Sequence, residues 1–504
     1  MKLILPFLAF MVIFNLTAQE FDGYVLYNTQ NQSTAYLLDI EGDIVHQWNC
    51  DQDAGYATLL METGNIMRAA INSGNAINGP AVAGRVQEID PNGDIVWDFT
   101  YSSSSYVSHH DIALMPNGGV LLTAWDVRSS AEMGAMGMTN PSSKYPTRLI
   151  EVQNDGNGGG EIVWTWELYD HLVNDVDTGS DNYGVIVENP QLLDVNVETG
   201  GGGGPGGGGG DWIHCNGIYH DPIRDQICFS SRYLSEVFII DHSTTTEEAA
   251  GHTAGNAGKG GDFLYRWGNP SNYGASNPQT IDGPCHDARF LETDRPNAGW
   301  LQFFNNDGAN GGDSQVTAIN PEMDADGYNY VYTPGAGYGP VSADWEHDCV
   351  ANSAGQSAAD QMPNGNIFVA LSDAYMYEAT PDGDVIWQYA QSPQKAFRYT
   401  CDHPGIVALL GDNPCGIIDG VEEIDQANLY FFPNPTSDRV VYINGLLNGL
   451  QITNVQVIDI CGKQLAVNFD QRKIDMSGAD QGIYIVSIIM ENGQVISERI
   501  SLID

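Results

Sequence analysis

The chain has 504 residues, with 19 Lys or Arg against 65 Asp or Glu, a formal net charge of −46. A surface this acidic repels polyanions and argues against nucleic acid as a partner. Hydrophobic residues make up 42% of the chain, enough for a full core, yet no internal run reaches the length of a membrane span.

The chain opens with Met1-Lys-Leu-Ile-Leu-Pro-Phe and runs on in apolar residues to Ala18. One positive charge, an apolar stretch and a small residue predict a cleaved secretory signal over residues 1–18. The apolar stretch is too short for a stable anchor. The expected mature protein is exported and has no membrane span.

Two short units then alternate. The first is an acidic turn followed by β-branched residues and an aromatic. It occurs as Asp39-Ile-Glu-Gly-Asp-Ile-Val-His-Gln-Trp48, Asp90-Pro-Asn-Gly-Asp-Ile-Val-Trp97, Gly160-Glu-Ile-Val-Trp-Thr-Trp166 and Asp382-Gly-Asp-Val-Ile-Trp387. The second is a Gly-containing turn leading into an apolar strand, as at Thr63-Gly-Asn-Ile-Met67, Pro116-Asn-Gly-Gly-Val-Leu-Leu122 and Pro363-Asn-Gly-Asn-Ile-Phe-Val369. Asn-Gly and Asp-Gly tolerate positive φ and suit tight hairpins. Alternation of such units, with little helical periodicity, predicts the blades of a β-propeller. Roughly six blades fit residues 19–420. The outer-type unit at 22–48 lacks an inner partner and the segment 397–410 lacks an outer one, so together they are expected to complete one blade and close the ring.

Residues 199–210 are Thr199, ten glycines and one proline, a flexible insertion by composition. Asp211-Trp-Ile-His214-Cys-Asn216 follows at once. Then come Ser230-Ser-Arg232-Tyr-Leu-Ser-Glu236, Gly258-Lys-Gly-Gly-Asp262, Tyr265-Arg-Trp-Gly-Asn269 and His286-Asp287-Ala288. Imidazole attacks or shuttles protons near neutral pH, and a guanidinium fork matches a tetrahedral oxyanion. In a propeller the inner strands converge on the axis, so His110, His214 and His286 are expected to point into one funnel. Three histidines also suit zinc or copper. Arg232 in the same funnel would repel a cation, so neither a metal nor a cofactor is expected there.

These motifs, in this order, resemble the arylsulfate sulfotransferases, bacterial enzymes that move a sulfuryl group between phenols. The resemblance is strongest from Asp211 to Asn269 and extends more weakly over residues 20–400, through His109-His110-Asp111. It implies a propeller fold and assigns His286 as the nucleophile, which would carry the sulfuryl group. It implies that His214, Asn216 and Arg232 hold the sulfuryl oxygens, and that His110 exchanges a proton with the phenols. Asp111 and Asp287 would orient their neighbours, and Lys259 and Arg266 would be structural. The polar stretch 353–360 departs from the family pattern, which puts a role for Ser357 in doubt. The partners implied are phenolic donors and acceptors. The competing reading is a secreted propeller that binds carbohydrate or protein without catalysis.

Residues 421–427 read as a linker, and 428–504 as a separate small β-sandwich. Phe431-Phe-Pro-Asn-Pro-Thr-Ser-Asp438 opens the latter, and Gly482-Ile-Tyr-Ile-Val-Ser-Ile-Ile489 lies near its end. This segment is similar to the C-terminal sorting domains of the type IX secretion system, which implies that machinery as a partner and a secreted or cell-surface destination. The expected fold class is thus all-β, a six-bladed propeller followed by a sandwich. Eight cysteines suit an exported chain and allow 105 pairings. Cys401 and Cys415, flanking a short Pro/Gly loop, are the pair best placed to bond. Whether Cys215 and Cys285 pair is open.

Overall fold

A computed structural model describes residues 20–199, 210–308 and 313–415 and most of 429–502. The expected signal at 1–18, the Gly/Pro stretch 200–209 and the linker 421–427 lie outside the described residues. The chain divides into two compact units, 1–415 and 416–504.

The first unit holds six four-stranded antiparallel sheets. Five are formed by consecutive stretches of chain. The sixth joins the two ends of the unit: Ala396–Thr400 pairs with Gly23–Asn28, which continues into Thr34–Leu38 and Ile44–Asn49. This is the closure expected from the sequence, in part. Residues 404–410, read there as strand, form the helix Pro404–Leu410, opened by His403, whose ring accepts the Gly405 amide. We number this shared sheet the first blade and the others in chain order. The inner strands are Ala396–Thr400, Ala54–Leu60, Tyr106–Leu114, Cys215–Asp221, Cys285–Phe290 and Ala358–Gln361. Each touches the next, and the last returns to the first.

The acidic turns explain the outer hairpins. Asp90 accepts the amides of Asn92 and Asp94 through its side chain while Gly93 takes φ +89°, so the chain reverses without strain. Ile95 and Val96 then face solvent on the outermost strand, and Trp97 turns inward and donates its indole N–H to Glu88 at 2.6 Å. Trp48, Trp166 and Trp387 are also buried. Burying one such indole contributes about 4–6 kcal/mol of transfer free energy. The apolar clusters lie between neighbouring blades; one, for instance, joins Met67 and Trp97 to Ile112, Val120 and Ile150. That leaves the axis to polar side chains.

The second unit packs two four-stranded sheets over one core that includes Val441, Ile474, Val486, Ile488 and Ile500. It is the expected sandwich. No helix among the described residues is long and apolar enough to cross a membrane.

Candidate active site

Four inner strands carry the same irregularity. Their pairing with the next strand slips at residues 54–58, 108–112, 215–217 and 286–289. A bulge leaves residues unpaired and re-aims their side chains. His110, His214 and Asp287 take φ of +50°, +53° and +54° at or beside these slips, a conformation disfavoured without a compensating role. His110 therefore lies inside its strand rather than at its start. Gly217 sits where the fourth and fifth blades touch: a Cβ there would come within 2.7 Å of the Asp287 and Ala288 nitrogens.

The bulges bring the histidines together. The rings of His110 and His214 are 4.7 Å apart between centroids, and the ring of Tyr56, from the bulge at 54–58, is 5.4 Å from His110. These three side chains and that of His286 are buried. Burial pushes His110 and His286 well below the usual imidazole range, and the neighbouring Arg232 and His214 push the same way. Both rings are thus neutral.

The hydrogen bonds of His286 fix its tautomer. Nε2 accepts the Gln356 amide at 3.1 Å, so it carries a lone pair, and Nδ1–H donates to Asn306 Oδ1 at 2.6 Å. Asn306 in turn donates to the carbonyls of Ser353 and Gln356. His214 Nδ1 lies 2.5 Å from Asp211 Oδ2, whose other oxygen accepts the Trp125 indole. Burial raises Asp211, but the His214 hydrogen bond and charge outweigh it and hold this carboxyl below its ordinary value.

Arg232 is tied by its backbone to the His214 carbonyl. Arg128, Arg148, Arg266, Arg289 and Arg398 all pair with carboxylates. Among the described residues no carboxylate lies within ion-pairing distance of Arg232. A half-buried guanidinium without a counter-charge, beside neutral imidazoles, is a site for an oxyanion.

A family model for arylsulfotransferase (ASST) matches residues 13–332. The chain belongs to the arylsulfotransferase family. A second model, for a secretion system C-terminal sorting domain, matches residues 430–502 and marks this arylsulfotransferase family member for export, to secretion or cell-surface attachment, by the type IX machinery. No curated protein matches the chain. Solved structures that resemble it include a protein of unknown function from Bacteroides caccae (10% identity, TM-score 0.39, 73% of this chain and 94% of that one). The periplasmic gluconolactonase PpgL of Pseudomonas aeruginosa is 11% identical, with a TM-score of 0.37 over 75% of this chain and 99% of that one. The Cps50 (Swd1) β-propeller domain of Myceliophteria thermophila is 8% identical, with a TM-score of 0.32 over 74% and 86%. Resemblances at this level say nothing about chemistry.

Within this family member, Asn216 has its amide already committed. It donates to the Cys285 carbonyl at 2.8 Å and accepts the Ser230 hydroxyl at 2.7 Å, joining the fourth and fifth blades. Arg266 is fully buried and bidentate on Glu236. Ser357 bonds Ser353 within the 353–357 loop and accepts the Ser372 amide. Cys401 and Cys415 are bonded, whereas Cys215 and Cys285 are free and buried.

Three features had no functional signal in the sequence. Tyr56 is fully buried, and its hydroxyl has no hydrogen-bond partner. Asn306 sets the His286 tautomer. Lys395, just before the closing strand, places its ammonium 2.5 Å from Asp111 and 2.6 Å from Asp287. Asp111 also accepts the Ile218 amide, and Asp287 the Ala359 amide. This one network therefore links inner strands of the first, third, fourth, fifth and sixth blades. A cavity of about 1120 Å³ borders Lys395, Arg289 and Tyr219 at the far ends of the inner strands. None of His110, His214, Arg232 and His286 lines it, so the anion-binding chemistry belongs to the bulged ends.

Proposed function

We propose that this protein transfers a sulfuryl group from an aryl sulfate ester to a phenolic acceptor through a sulfohistidine at His286. The observation that carries the reading is the guanidinium of Arg232, without a carboxylate partner, beside a buried neutral imidazole whose Nε2 carries a lone pair. An acidic protein with an uncompensated arginine at its axis is built to receive an anion, and family membership supports sulfate esters as that anion.

In the first step His286 Nε2 forms a bond to sulfur as the ester S–O bond breaks, releasing a phenolate. The Gln356 amide, which occupies Nε2 without substrate, gives way to the sulfur. Arg232 holds the sulfuryl oxygens as charge redistributes, the kind of stabilisation that dominates many such reactions. The leaving phenolate takes a proton from His214, whose Nδ1 rests on the Asp211 carboxylate. Deeply buried and flanked by positive groups, His110 stays neutral, so His214 is the better proton carrier and His110 a wall and acceptor. A second phenol then gives its proton back to His214 and takes the sulfuryl group from His286. Splitting the transfer in two steps is covalent catalysis. Asn216 acts as a positioning residue, holding the Cys285 carbonyl next to the nucleophile.

The test is mass spectrometry of protein quenched with an aryl sulfate and no acceptor. A sulfuryl adduct on the peptide containing His286, and its loss in His286→Ala, is the expected result. Full turnover by His286→Ala would sink the mechanism, and no phenol release from a broad donor panel would leave the binding-module reading ahead. Residues 428–504 serve export in this reading and are dispensable for chemistry. Deleting them should block secretion while the remaining protein keeps its activity.

A further inference from the structure

Two imidazoles and a carboxylate meet on the outer edges of the third and fourth blades. His171 ends the 3-10 turn Leu168–His171, which leaves the outermost strand Gly160–Glu167. His252 follows the short helix Thr246–Ala249, and Asp262 immediately precedes the outermost strand Phe263–Trp267. His171 Nδ1 is 2.9 Å and His252 Nδ1 is 2.7 Å from the same oxygen, Oδ1 of Asp262. All three atoms lie within 4.8 Å of one another.

One nitrogen of His171 is already committed. Nε2 is 2.8 Å from the Ala249 carbonyl, which can only accept, so Nε2 carries the hydrogen. With that hydrogen placed, Nδ1 is the nitrogen that faces the carboxylate oxygen. Two acceptors at that distance need a second proton or a cation between them. The ring is completely buried and lies parallel to Trp166, 5.5 Å away at 5°. Gly261 packs against both rings, since a Cβ there would approach the Ala249 carbonyl oxygen to 2.1 Å, His171 Nε2 to 2.6 Å and Trp166 to 2.7 Å. An imidazole whose one N–H is held by a backbone carbonyl, and whose other nitrogen is aimed by packing, is the usual arrangement of a metal-bound histidine.

We propose that His171, His252 and Asp262 bind a divalent transition-metal ion of the zinc class. Two imidazoles select against magnesium and calcium, and two nitrogens with one oxygen suit tetrahedral zinc with one position left for water or an outside ligand. His252 is 58% exposed, so the open side faces solvent. Ligand atoms around zinc sit about 3.3 Å apart for bond lengths near 2.05 Å, so the cluster needs to open by about half an ångström, which the exposed His252 permits. The other such cluster, His220, Asp225 and His242, is different. His242 places both nitrogens on carboxylates, Asp225 and Glu151, and is itself the cation there. The proposed ion ties the exit of the third blade to the 249–262 loop of the fourth. It lies at the outermost strands, whereas the His286 cluster lies at the innermost ones, so it acts on stability rather than on transfer.

The experiment uses the full chain, stripped with a chelator and titrated with Zn²⁺ by calorimetry and with Co²⁺ by its visible absorption. Wild type should bind one equivalent at this site with a Kd of about 1 μM or tighter. His252→Ala, at an exposed position that leaves the fold intact, should weaken it at least tenfold and abolish the rise in thermal midpoint that zinc gives wild type. His220→Ala should leave the isotherm unchanged. No zinc binding by wild type, undiminished binding by His252→Ala, or loss of binding only in His220→Ala would each overturn the proposal.

Discussion

Replacing Lys395 with methionine keeps the length of the side chain and removes its charge. Lys395 is 3% exposed and touches Asp111 and Asp287, which are 0% and 2% exposed. Leaving a buried charge without its partner costs about 3–5 kcal/mol. Unfolding entropy is roughly 2.1 cal/mol/K per residue, so cooperative unfolding of the first unit should lose about 4–6 °C of midpoint. The loss should depend on pH. Burial raises Asp111 above the ordinary carboxyl value, the charge of Asp287 adds to that, and Lys395 opposes both. Without Lys395 the carboxyl moves further up. A raised carboxyl means that the folded state holds its proton more tightly than the unfolded chain. The penalty is therefore full above the folded pKa and shrinks as pH falls toward the unfolded value near 3.9. Differential scanning calorimetry of wild type and Lys395→Met between pH 7.5 and 5 should show a gap that narrows on acidification. Equal midpoints at pH 7.5, or a gap that does not change with pH, would refute the reasoning.

Arg232→Leu should lower kcat in an aryl sulfate assay by about 10²–10³-fold, the worth of one oxyanion donor, with the thermal midpoint nearly unchanged because no ion pair is lost. Tyr56→Phe deletes a hydroxyl without a partner in the substrate-free protein, so it should leave the midpoint unchanged, yet slow transfer roughly ten- to a hundredfold if that hydroxyl bonds the charged sulfuryl group. Since His286 is pushed below the usual imidazole range, the acidic limb of kcat/KM should fall below about pH 6.5; a limb at or above that value would count against a neutral, buried nucleophile. His242 is raised to about 9, because the hydrogen bonds and charges of Asp225 and Glu151 outweigh burial. Its contribution is full below about pH 6.5 and is lost as pH rises through 9, so denaturant midpoints of wild type should drop over that window, and those of His242→Gln should drop less.

The blades were legible because their turns have strict chemistry: Asp-x-x-Gly-Asp and Pro-Asn-Gly leave few alternatives, and the tryptophan after each acidic turn marks the buried face. The exception at 404–410 shows the limit. A run of Ile, Val, Ala and Leu is equally apolar as strand or helix, and the proline at its first position, with His403 as cap, decided for helix. The convergence of His110, His214 and His286 was legible because the repeats placed the histidines near the axis, with Arg232 close in sequence to one of them. Which atoms they offer was not legible. The bulges that aim His110 and His214 depend on pairing with the neighbouring strand. The Asn306 bond to His286 spans 20 residues and the Lys395 bond to Asp111 spans 284, and no local pattern announces either. Asn216 was read from its motif as a ligand for the substrate, while its amide is spent between blades.

The closing strand has a consequence for the order in which the molecule matures. A chain made from its N-terminus has five inner strands in hand before Ala396–Thr400 exists, and until then the ring has two open edges. The same few residues deliver Lys395, so until the last strand docks Asp111 lacks its ammonium partner and Asp287 has only Arg289. Ring closure and completion of the axial charge network are one event. An unfinished or truncated chain is thus unpaired at its edges and electrostatically incomplete at its centre, and competence arrives all at once, with the final blade.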